Sequence, residues 1–509
     1  MAFVMGIDVG TSGTKTAVFN EQGECVASAT EEYPLLTPHP GWTEQNPEDW
    51  WRATVNTIRQ CLSTGNVNKS EVRGIGLSGQ MHGSVFLDKQ KNVVRPTILW
   101  NDSRTADECG EINRIVGEKR FHELTGNPPL TGFTAPKALW LKNKEPHNFE
   151  KTTTLCLPKD YVRYRLTGEL AAEVSDGAGT VLFDVRKRTW STEILDALGI
   201  PRSWMPPMFE STDICGKITA RVADETGLKP GTPVVGGGAD NTCGATGTGV
   251  VVEGRVLSSL GTSGVVFAPS KKVRVDPQGR VHTFCHSVPH LWYLMGVVLS
   301  AGMSLRWYRD VVAGDERRVA EIEKKDPYDV LTRVADKAPP GSEGLLFLPY
   351  LTGERTPHKD PHARGGFIGL TIRHKREHLI RSLLEGVTFA MRDSLEIVRE
   401  QNVAVEEIRA TGGGAKSRFW RQLQADIYGA EICIINSDQG PALGAAIMGG
   451  VGAGIWGSIP EACDAIIKVV SRTHPNEEQR KQYQEYYEVY QSLYPQIRES
   501  CHTLSKLVS

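Results

Sequence analysis

Asp8 closes an apolar run, Met5-Gly6-Ile7-Asp8-Val9, and is followed at once by Gly10-Thr11-Ser12-Gly13-Thr14-Lys15. A carboxylate beside a turn of this composition suits phosphate and its counter-ion. Glycine lets backbone N–H groups approach an anion, Thr and Ser add donors, and a carboxylate facing phosphates calls for a cation, usually Mg²⁺ held partly through water. The same residues also fit a turn in which Asp8 only hydrogen-bonds the hairpin backbone. About half a chain later the segment is echoed by Leu260-Gly261-Thr262-Ser263-Gly264-Val265. Each copy reads as a β-hairpin with a Gly-Thr-Ser-Gly tip, which alone is an ordinary turn. Two such tips, one from each half of a duplicated chain, could grip a polyphosphate from both sides. A Walker loop is excluded because Lys15 follows Thr14 rather than preceding a Ser or Thr, and Gly236-Gly237-Gly238 lacks the last glycine of a dinucleotide fingerprint, with Asn241 in its place.

Asp240 is the second acid singled out by context, since it follows Val234-Val235-Gly236-Gly237-Gly238-Ala239, an apolar strand breaking into glycines. A carboxylate at such a strand end is placed to act as general base toward a hydroxyl, and it can also cap a helix starting near Asn241. Three further polar and aromatic groups end or flank strands: Gln80-Met81-His82-Gly83, Trp100-Asn101-Asp102-Ser103-Arg104 and Gly41-Trp42-Thr43-Glu44-Gln45. Such clusters are what a sugar site uses, although Trp42 also suits a core and a lone histidine is more often structural.

The elements that must carry these residues are legible as two similar halves. Strands are predicted over 3–9, 15–20, 25–31 and 72–77. Asn46-Pro47-Glu48-Asp49 starts a helix with an Asn cap and Pro at its first position, and Trp51, Val55, Ile58 and Leu62 form its apolar face. In the second half a hairpin opens at 255–260, a helix-rich insertion covers about 301–338, and a long amphipathic helix covers 375–401. A strand over 407–411 then runs into Gly412-Gly413-Gly414, backbone at a helix N-terminus suited to an anion or a flat ring. The stretch 440–454 reads as a tightly packed helix and 475–504 as a polar helical tail. At 509 residues the chain exceeds one core, so two domains are expected, 1–250 and 251–509, joined by a short hinge.

Composition narrows the function classes. A formal charge of −2 gives no footprint for nucleic acid or an anionic membrane surface, leaving small-molecule chemistry. Ten cysteines without a Cys-x-x-Cys pair point to reduced thiols and a cytoplasmic location. His282, Cys285 and His286 lack a second ligand pair at zinc spacing and read as packed core. No export signal or membrane-spanning run is expected.

Taken in order, Ile7-Asp8-Val9-Gly10-Thr11, Gly41-Trp42-Thr43-Glu44-Gln45, Gln80-Met81-His82-Gly83, Trp100-Asn101-Asp102, Gly238-Ala239-Asp240-Asn241, Gly261-Thr262-Ser263, Leu351-Thr352-Gly353-Glu354-Arg355-Thr356-Pro357 and Gly412-Gly413-Gly414-Ala415-Lys416-Ser417 resemble the FGGY carbohydrate kinases over nearly the whole length. Each motif alone is weak. The resemblance implies an α/β fold of the two-domain, actin-like, ribonuclease-H-like ATPase type, with ATP and sugar in the cleft. It implies phosphorylation of a ketopentose, D-xylulose at O5, with ribulose or ribitol as alternative acceptors. A catalytically silent sugar sensor is disfavoured because Asp8 and Asp240 are both present and no extra DNA-binding segment is expected before Asp8. By the same resemblance Asp240 is the base, and Asp8 acts near Mg²⁺ and the phosphates, holding the metal through water. Gly10, Thr11, Ser12, Gly13, Thr14, Lys15, Gly261 and Thr262 become phosphate contacts, and Gly413, Gly414 and Ser417 lie near the nucleoside. Gln80, Met81, His82, Asn101, Asp102, Asp240, Asn241 and Trp42 become the sugar site. Glycerol kinases carry Gln-Arg-Glu where this chain has Gln80-Met81-His82, which disfavours a triol; Ala239 stands where many relatives have glycine. The expected partners are the sugar and ATP, with a homodimer left open.

Overall fold

A computed structural model gives the structure of the chain and describes residues 2–65 and 67–508. Two mixed sheets of seven strands organise it. The first contains β1 (Phe3–Val9), β2 (Gly13–Asn20), β3 (Cys25–Glu32), β4 (Val72–Gly79), β5 (Ile214–Lys217), β6 (Pro233–Val235) and β7 (Gly238–Ala239), in the order β5-β6-β4-β1-β2-β3 with β7 beside β4. The second contains β8 (Gly254–Leu260), β9 (Gly264–Ser270), β10 (His282–Cys285), β11 (Trp292–Val298), β12 (Val405–Gly412), β13 (Glu431–Ile435) and β14 (Val469–Thr473), in the order β10-β11-β9-β8-β12-β13-β14.

The internal echo is therefore a repeated topology. In each half an antiparallel hairpin, β1–β2 or β8–β9, has a third strand beyond its second arm and a parallel strand beside its first, β4 or β12. Both parallel pairings carry an irregularity at their start, between Phe3 and Val4 and between Gly254 and Arg255. Val9 pairs with Gly79 and Leu260 with Gly412, so the two strand ends correspond residue for residue. One step back, Asp8 corresponds to Ser259. The duplicated scaffold thus carries this carboxylate once.

Helices pack against both mixed sheets, whose central strands are buried. Helix α1 (Pro47–Thr64) has the expected Asn46 cap, Oδ1 accepting from Glu48 N at 3.1 Å, and buries Trp50, Trp51, Val55 and Ile58 against β2 and β3. The short helix α2 (Val174–Gly179) and α3 (Asp240–Gly247) lie near the cleft. The insertion forms α4 (Gly302–Val311), α5 (Gly314–Glu323) and α6 (Pro327–Ala335), and the long amphipathic helix is α7 (Arg376–Glu400), followed by α8 (Arg418–Tyr428). The glycine- and alanine-rich stretch of the second half is α9 (Pro441–Gly452). The polar tail is α10 (Glu477–Leu507), which buries Tyr483, Tyr487, Tyr490 and Tyr494 as one stripe at helical spacing.

Helix α9 packs on β1 and β4 of the first sheet and against α3. Contact is backbone to backbone. A Cβ at Gly6 would lie 1.8 Å from Ala442 O, one at Gly76 1.9 Å from Ala445 O, and one at Gly444 1.9 Å from Cys243 O. Across the cleft, Phe86, Phe133 and Leu182 share a core with Phe284, Tyr293 and Met295. Among the described residues no helix is long and apolar enough to cross a membrane.

Candidate active site

Strand register brings the two acids together. Asp8 on β1 lies opposite Ser78 on β4, and Ser78 lies opposite Gly238 on β7, so one row crosses three strands and Asp240 comes two residues later. Two strand spacings amount to about 10 Å at the backbone, close enough for charge to be felt. Burial, then the charge of Asp8, pushes the Asp240 carboxyl up to about 7, against the pull of the Asn241 N–H. Asp240 is the first residue of α3 rather than its cap; that position falls to Ala239, and the Asp240 Oδ1 accepts from Asn241 N at 2.7 Å. Its other carboxylate oxygen is left free of the helix. The strand before it is pinned from behind: Ala239 N donates to Ser175 Oγ at 3.0 Å, and Ser175 Oγ donates to Glu173 at 2.9 Å. Glu173 belongs to a buried cluster with Lys159, Asp160, Asp176 and Arg163.

Asp8 has the chemistry of a cation ligand. Its Oδ1 is buried without a hydrogen-bond partner, and burial raises its carboxyl, with Ser78 and Lys15 holding it back. An orphaned, acceptor-only oxygen facing a second carboxylate fits a hydrated divalent ion. The adjoining tip is tightly built: Gly10 N donates to Gly13 O at 3.0 Å, Gln45 Nε2 to Thr11 O at 2.7 Å, and Trp100 Nε1 to Thr11 Oγ1 at 3.0 Å. Ser12 is exposed, Thr14 is buried and Lys15 pairs with Asp8 across the hairpin.

The Met81–His82 corner faces this row. Asn241 Nδ2 donates to Met81 Sδ at 3.4 Å, joining the base-bearing helix to the corner. His82 has φ +68, uncommon for a residue other than glycine, and its carbonyl accepts from Lys137 Nζ at 2.9 Å and Thr134 Oγ1 at 3.1 Å. Its Nδ1 donates to Gly179 O at 2.7 Å, which leaves Nε2 as the lone-pair nitrogen. Burial and the Lys137 charge push this histidine down to about 3, so it is neutral and accepts from a hydroxyl rather than acting as a cation.

The other expected sugar residues are placed differently. Asp102 accepts from Arg104 at 2.9 and 2.7 Å and from Thr43 N at 2.7 Å, so its carboxylate is committed to the protein. The Arg104 guanidinium in turn lies 3.6 Å over the Trp42 ring. Gln80 donates to Gly10 O at 3.3 Å and Gln45 Oε1 at 2.9 Å, bracing the first tip from below. Asn101 accepts from Thr43 Oγ1 at 2.8 Å. His282, Cys285 and His286 are buried, with His282 Nδ1 bonded to Asn127 Oδ1 at 2.8 Å and His286 Nε2 bonded to Val250 O at 3.1 Å.

The second half forms a cavity of about 510 Å³ whose walls include Gly261, Thr262, Gly413, Gly414 and Ser417. That size suits a nucleoside-sized ligand. Gly412 has φ +79, and a Cβ on Gly414 would meet Leu260 Cβ at 2.7 Å, so both glycines are required for this approach. Ser417 Oγ also caps α8, accepting from Trp420 N at 3.3 Å. The facing wall comes from the insertion, through Met303, Arg306 and Tyr328, and α4 starts by donating Gly302 N to Gly261 O at 2.9 Å. Sequence reasoning saw the insertion as helices without a role. It also missed Lys137 and Ser175, which act through nonlocal contacts.

Comparison with known proteins gives a consistent result. Residues 3–247 match the FGGY family of carbohydrate kinases, N-terminal domain, and residues 256–453 match its C-terminal domain. The chain is 40% identical over 499 residues to the xylulose kinase of Bacillus subtilis, covering 98% of each. It is 41% identical over 495 residues to the xylulose kinase of Escherichia coli, covering 97% of this chain and 99% of that one. The crystal structure of xylulose kinase from Rhodospirillum rubrum superposes with a TM-score of 0.90 at 30% identity, over 98% of this chain and 100% of that one.

Proposed function

The chain belongs to the FGGY family of carbohydrate kinases, and from that premise we propose that it transfers the γ-phosphoryl group of ATP to O5 of D-xylulose, giving D-xylulose 5-phosphate. The observation that carries this reading is the Asn241–Met81 contact, which joins the helix that Asp240 begins to the corner that holds His82. The choice of sugar is supported by full-length similarity to xylulose kinases. In the proposed division of labour, residues 1–250 supply the base and sugar contacts and 251–509 the nucleotide cavity. ATP is the phosphoryl donor. The ten free cysteines suit the cytoplasm, where it is made and used.

In the mechanism Asp240 takes the proton of the acceptor hydroxyl as its oxygen attacks the γ-phosphorus in line. Backbone N–H groups of the two hairpin tips stabilise charge on the phosphate oxygens, and the neutral His82 Nε2 accepts from a sugar hydroxyl. Asp8 would hold Mg²⁺ through water, and the ion would neutralise charge on the β- and γ-phosphates. The direct test is sugar-dependent ADP release over a panel of ketoses and polyols. Turnover with D-xylulose well above ribulose, ribitol and glycerol is the expected result, and ATP consumption indifferent to any sugar would sink the reading.

His82→Ala is expected to raise KM for D-xylulose about tenfold, the equivalent of one lost buried hydrogen bond, while KM for ATP stays put. A selective loss of ATP affinity would reassign this histidine. Asp8→Asn is expected to lower kcat and raise the Mg²⁺ concentration giving half-maximal rate. Because the Asp8 charge helps to raise Asp240, the acid limb of the pH profile should also move to lower pH. If rate, metal dependence and profile all stay at wild-type values, Asp8 is a turn residue only.

A further inference from the structure

Asp240 stands just beyond a break in its strand. Val234 on β6 pairs with Ile75 and Gly238 on β7 with Ser78, so four steps of the outer chain run beside three of β4. The extra residue falls at Gly236-Gly237. Gly237 has φ +73, and a Cβ there would lie 2.0 Å from Leu77 O, so the detour presses on β4. On its other side β7 pairs with no strand among the described residues, and the backbone groups of the detour need other partners. Gly236 N donates to Asp213 O at 3.0 Å and Gly237 N to Ser211 O at 2.9 Å. Gly236 O accepts from Arg163 Nη1 at 2.6 Å, and Ala239 N donates to Ser175 Oγ at 3.0 Å.

Two of these partners converge on one carboxylate. Glu173 Oε1 accepts from Ser175 Oγ at 2.9 Å and from Asp176 N at 2.8 Å, while Oε2 accepts from Ser175 N at 2.7 Å and from Ser211 Oγ at 3.0 Å. Lys159 Nζ lies 3.3 Å from Oε1, and Glu173 and Ser175 are both 0% exposed. A carboxylate only accepts, so the single hydroxyl proton of Ser175 is committed to Glu173 and its oxygen faces the detour as an acceptor. That oxygen takes Ala239 N, one residue before Asp240, and accepts from Thr242 Oγ1 at 3.1 Å, two residues after it. The serine thus grips the chain on both sides of the base.

We infer that Ser175 is a positioning residue for the transfer: oriented by Glu173, its hydroxyl holds the backbone on either side of Asp240 and so fixes where that carboxylate meets the acceptor hydroxyl. The assignment rests on reading Asp240 as the base of a sugar kinase and is indifferent to which sugar is the acceptor. The grip acts through Ala239 N and Thr242, not through the Asp240 carboxylate, which keeps an oxygen unspent as a base requires. Misplacing such a group by about 1 Å costs up to about a hundredfold in rate.

The test is a double-mutant cycle on the full chain, with kcat and both KM values read by ADP release using the best acceptor of the sugar panel, and folding checked by circular dichroism. Ser175→Ala is expected to lower kcat about ten- to a hundredfold while KM for sugar and for ATP moves less than about twofold. Introduced into Asp240→Ala, the same change should lower the residual rate less than about twofold, because a residue that acts through Asp240 then has nothing left to position. Ser175→Cys, close in volume and a weaker acceptor, should fall between wild type and alanine, and it takes the place of alanine in the cycle if that protein does not fold. An unchanged kcat in the folded variant, an equal fall in the Asp240→Ala background, or a raised KM in place of a lowered kcat would overturn the assignment. Wild-type protein that turns over no sugar sinks the kinase reading and this inference together. Wild-type turnover with any of those three results sinks only the inference.

Discussion

Asp240→Ala is expected to lower kcat by about 10²–10⁴, a loss of about 3–5 kcal/mol of transition-state stabilisation, while nucleotide affinity measured by titration barely moves. The residue stands where the proposed transfer needs a base. It starts α3 beside the Met81–His82 corner, and its free oxygen is not consumed by the helix. A base must be ionised to work, and burial pushes this carboxyl up to about 7, so kcat/KM of the wild type, with Mg²⁺ supplied for turnover, should rise with pH along an acid limb at or below that value. Magnesium near Asp8 should shift the limb downward by offsetting the charge that raises Asp240.

The same shift has a stability consequence of definite sign. Between the ordinary carboxyl value of 3.8 and about 7 the folded state holds this proton and the unfolded state does not, so stability from this group falls as pH rises through that window. Asp240→Asn, neutral at every pH, should therefore raise Tm more at pH 8 than at pH 5. Near-normal turnover of the alanine variant would remove Asp240 from the mechanism. A Tm gain larger at pH 5 would show that the carboxyl is not held up by burial.

Gly76→Val is expected to destabilise the protein by about 3 kcal/mol or more and to drive much of it into the insoluble fraction. A Cβ there would stand 1.9 Å from Ala445 O and 2.7 Å from Ala445 C, and neither backbone atom can swing aside as a side-chain end could. The helix that would be displaced, α9, carries second-half residues onto the first sheet and abuts α3, so its loss disturbs the base as well as the packing. Gly76→Ala provides a milder variant with the same sign. Gly110, where an added Cβ meets nothing within 4 Å, is the control, and Gly110→Ala inside its helix should keep or raise Tm. If Gly76→Val melted within about 1 °C of wild type, the close approach of α9 would not exist in solution.

Local chemistry was legible from the chain alone. Both hairpins, the Asn46-capped helix, the long helix ending at Glu400 and the Gly412–Gly414 junction stand where residue types a few positions apart placed them, with ends shifted by a residue or two. Gly13 and Thr14, for instance, join β2 ahead of Lys15 because they complete the ladder to Val9 and Glu32. Such elements depend on turns, caps and periodicity that neighbours in sequence decide.

Pairing across long separations lay beyond the sequence. Parallel alignment of Val9 with Gly79 and of Leu260 with Gly412 makes the Met81–His82 corner and the Gly413–Gly414 cavity equivalent places in a repeated fold. The residues after each glycine specialise them, Gln80-Met81-His82 in one and Gly413-Gly414 in the other. No spacing rule announces that equivalence, because parallel strands joined by long crossovers share no local signal. The same limit bears on Asp102, a member of the Trp100-Asn101-Asp102 motif whose oxygens accept from Arg104 and from Thr43, a residue remote in sequence. Residue type determined which groups could do chemistry; burial and nonlocal hydrogen bonds decided which of them were left free to do it.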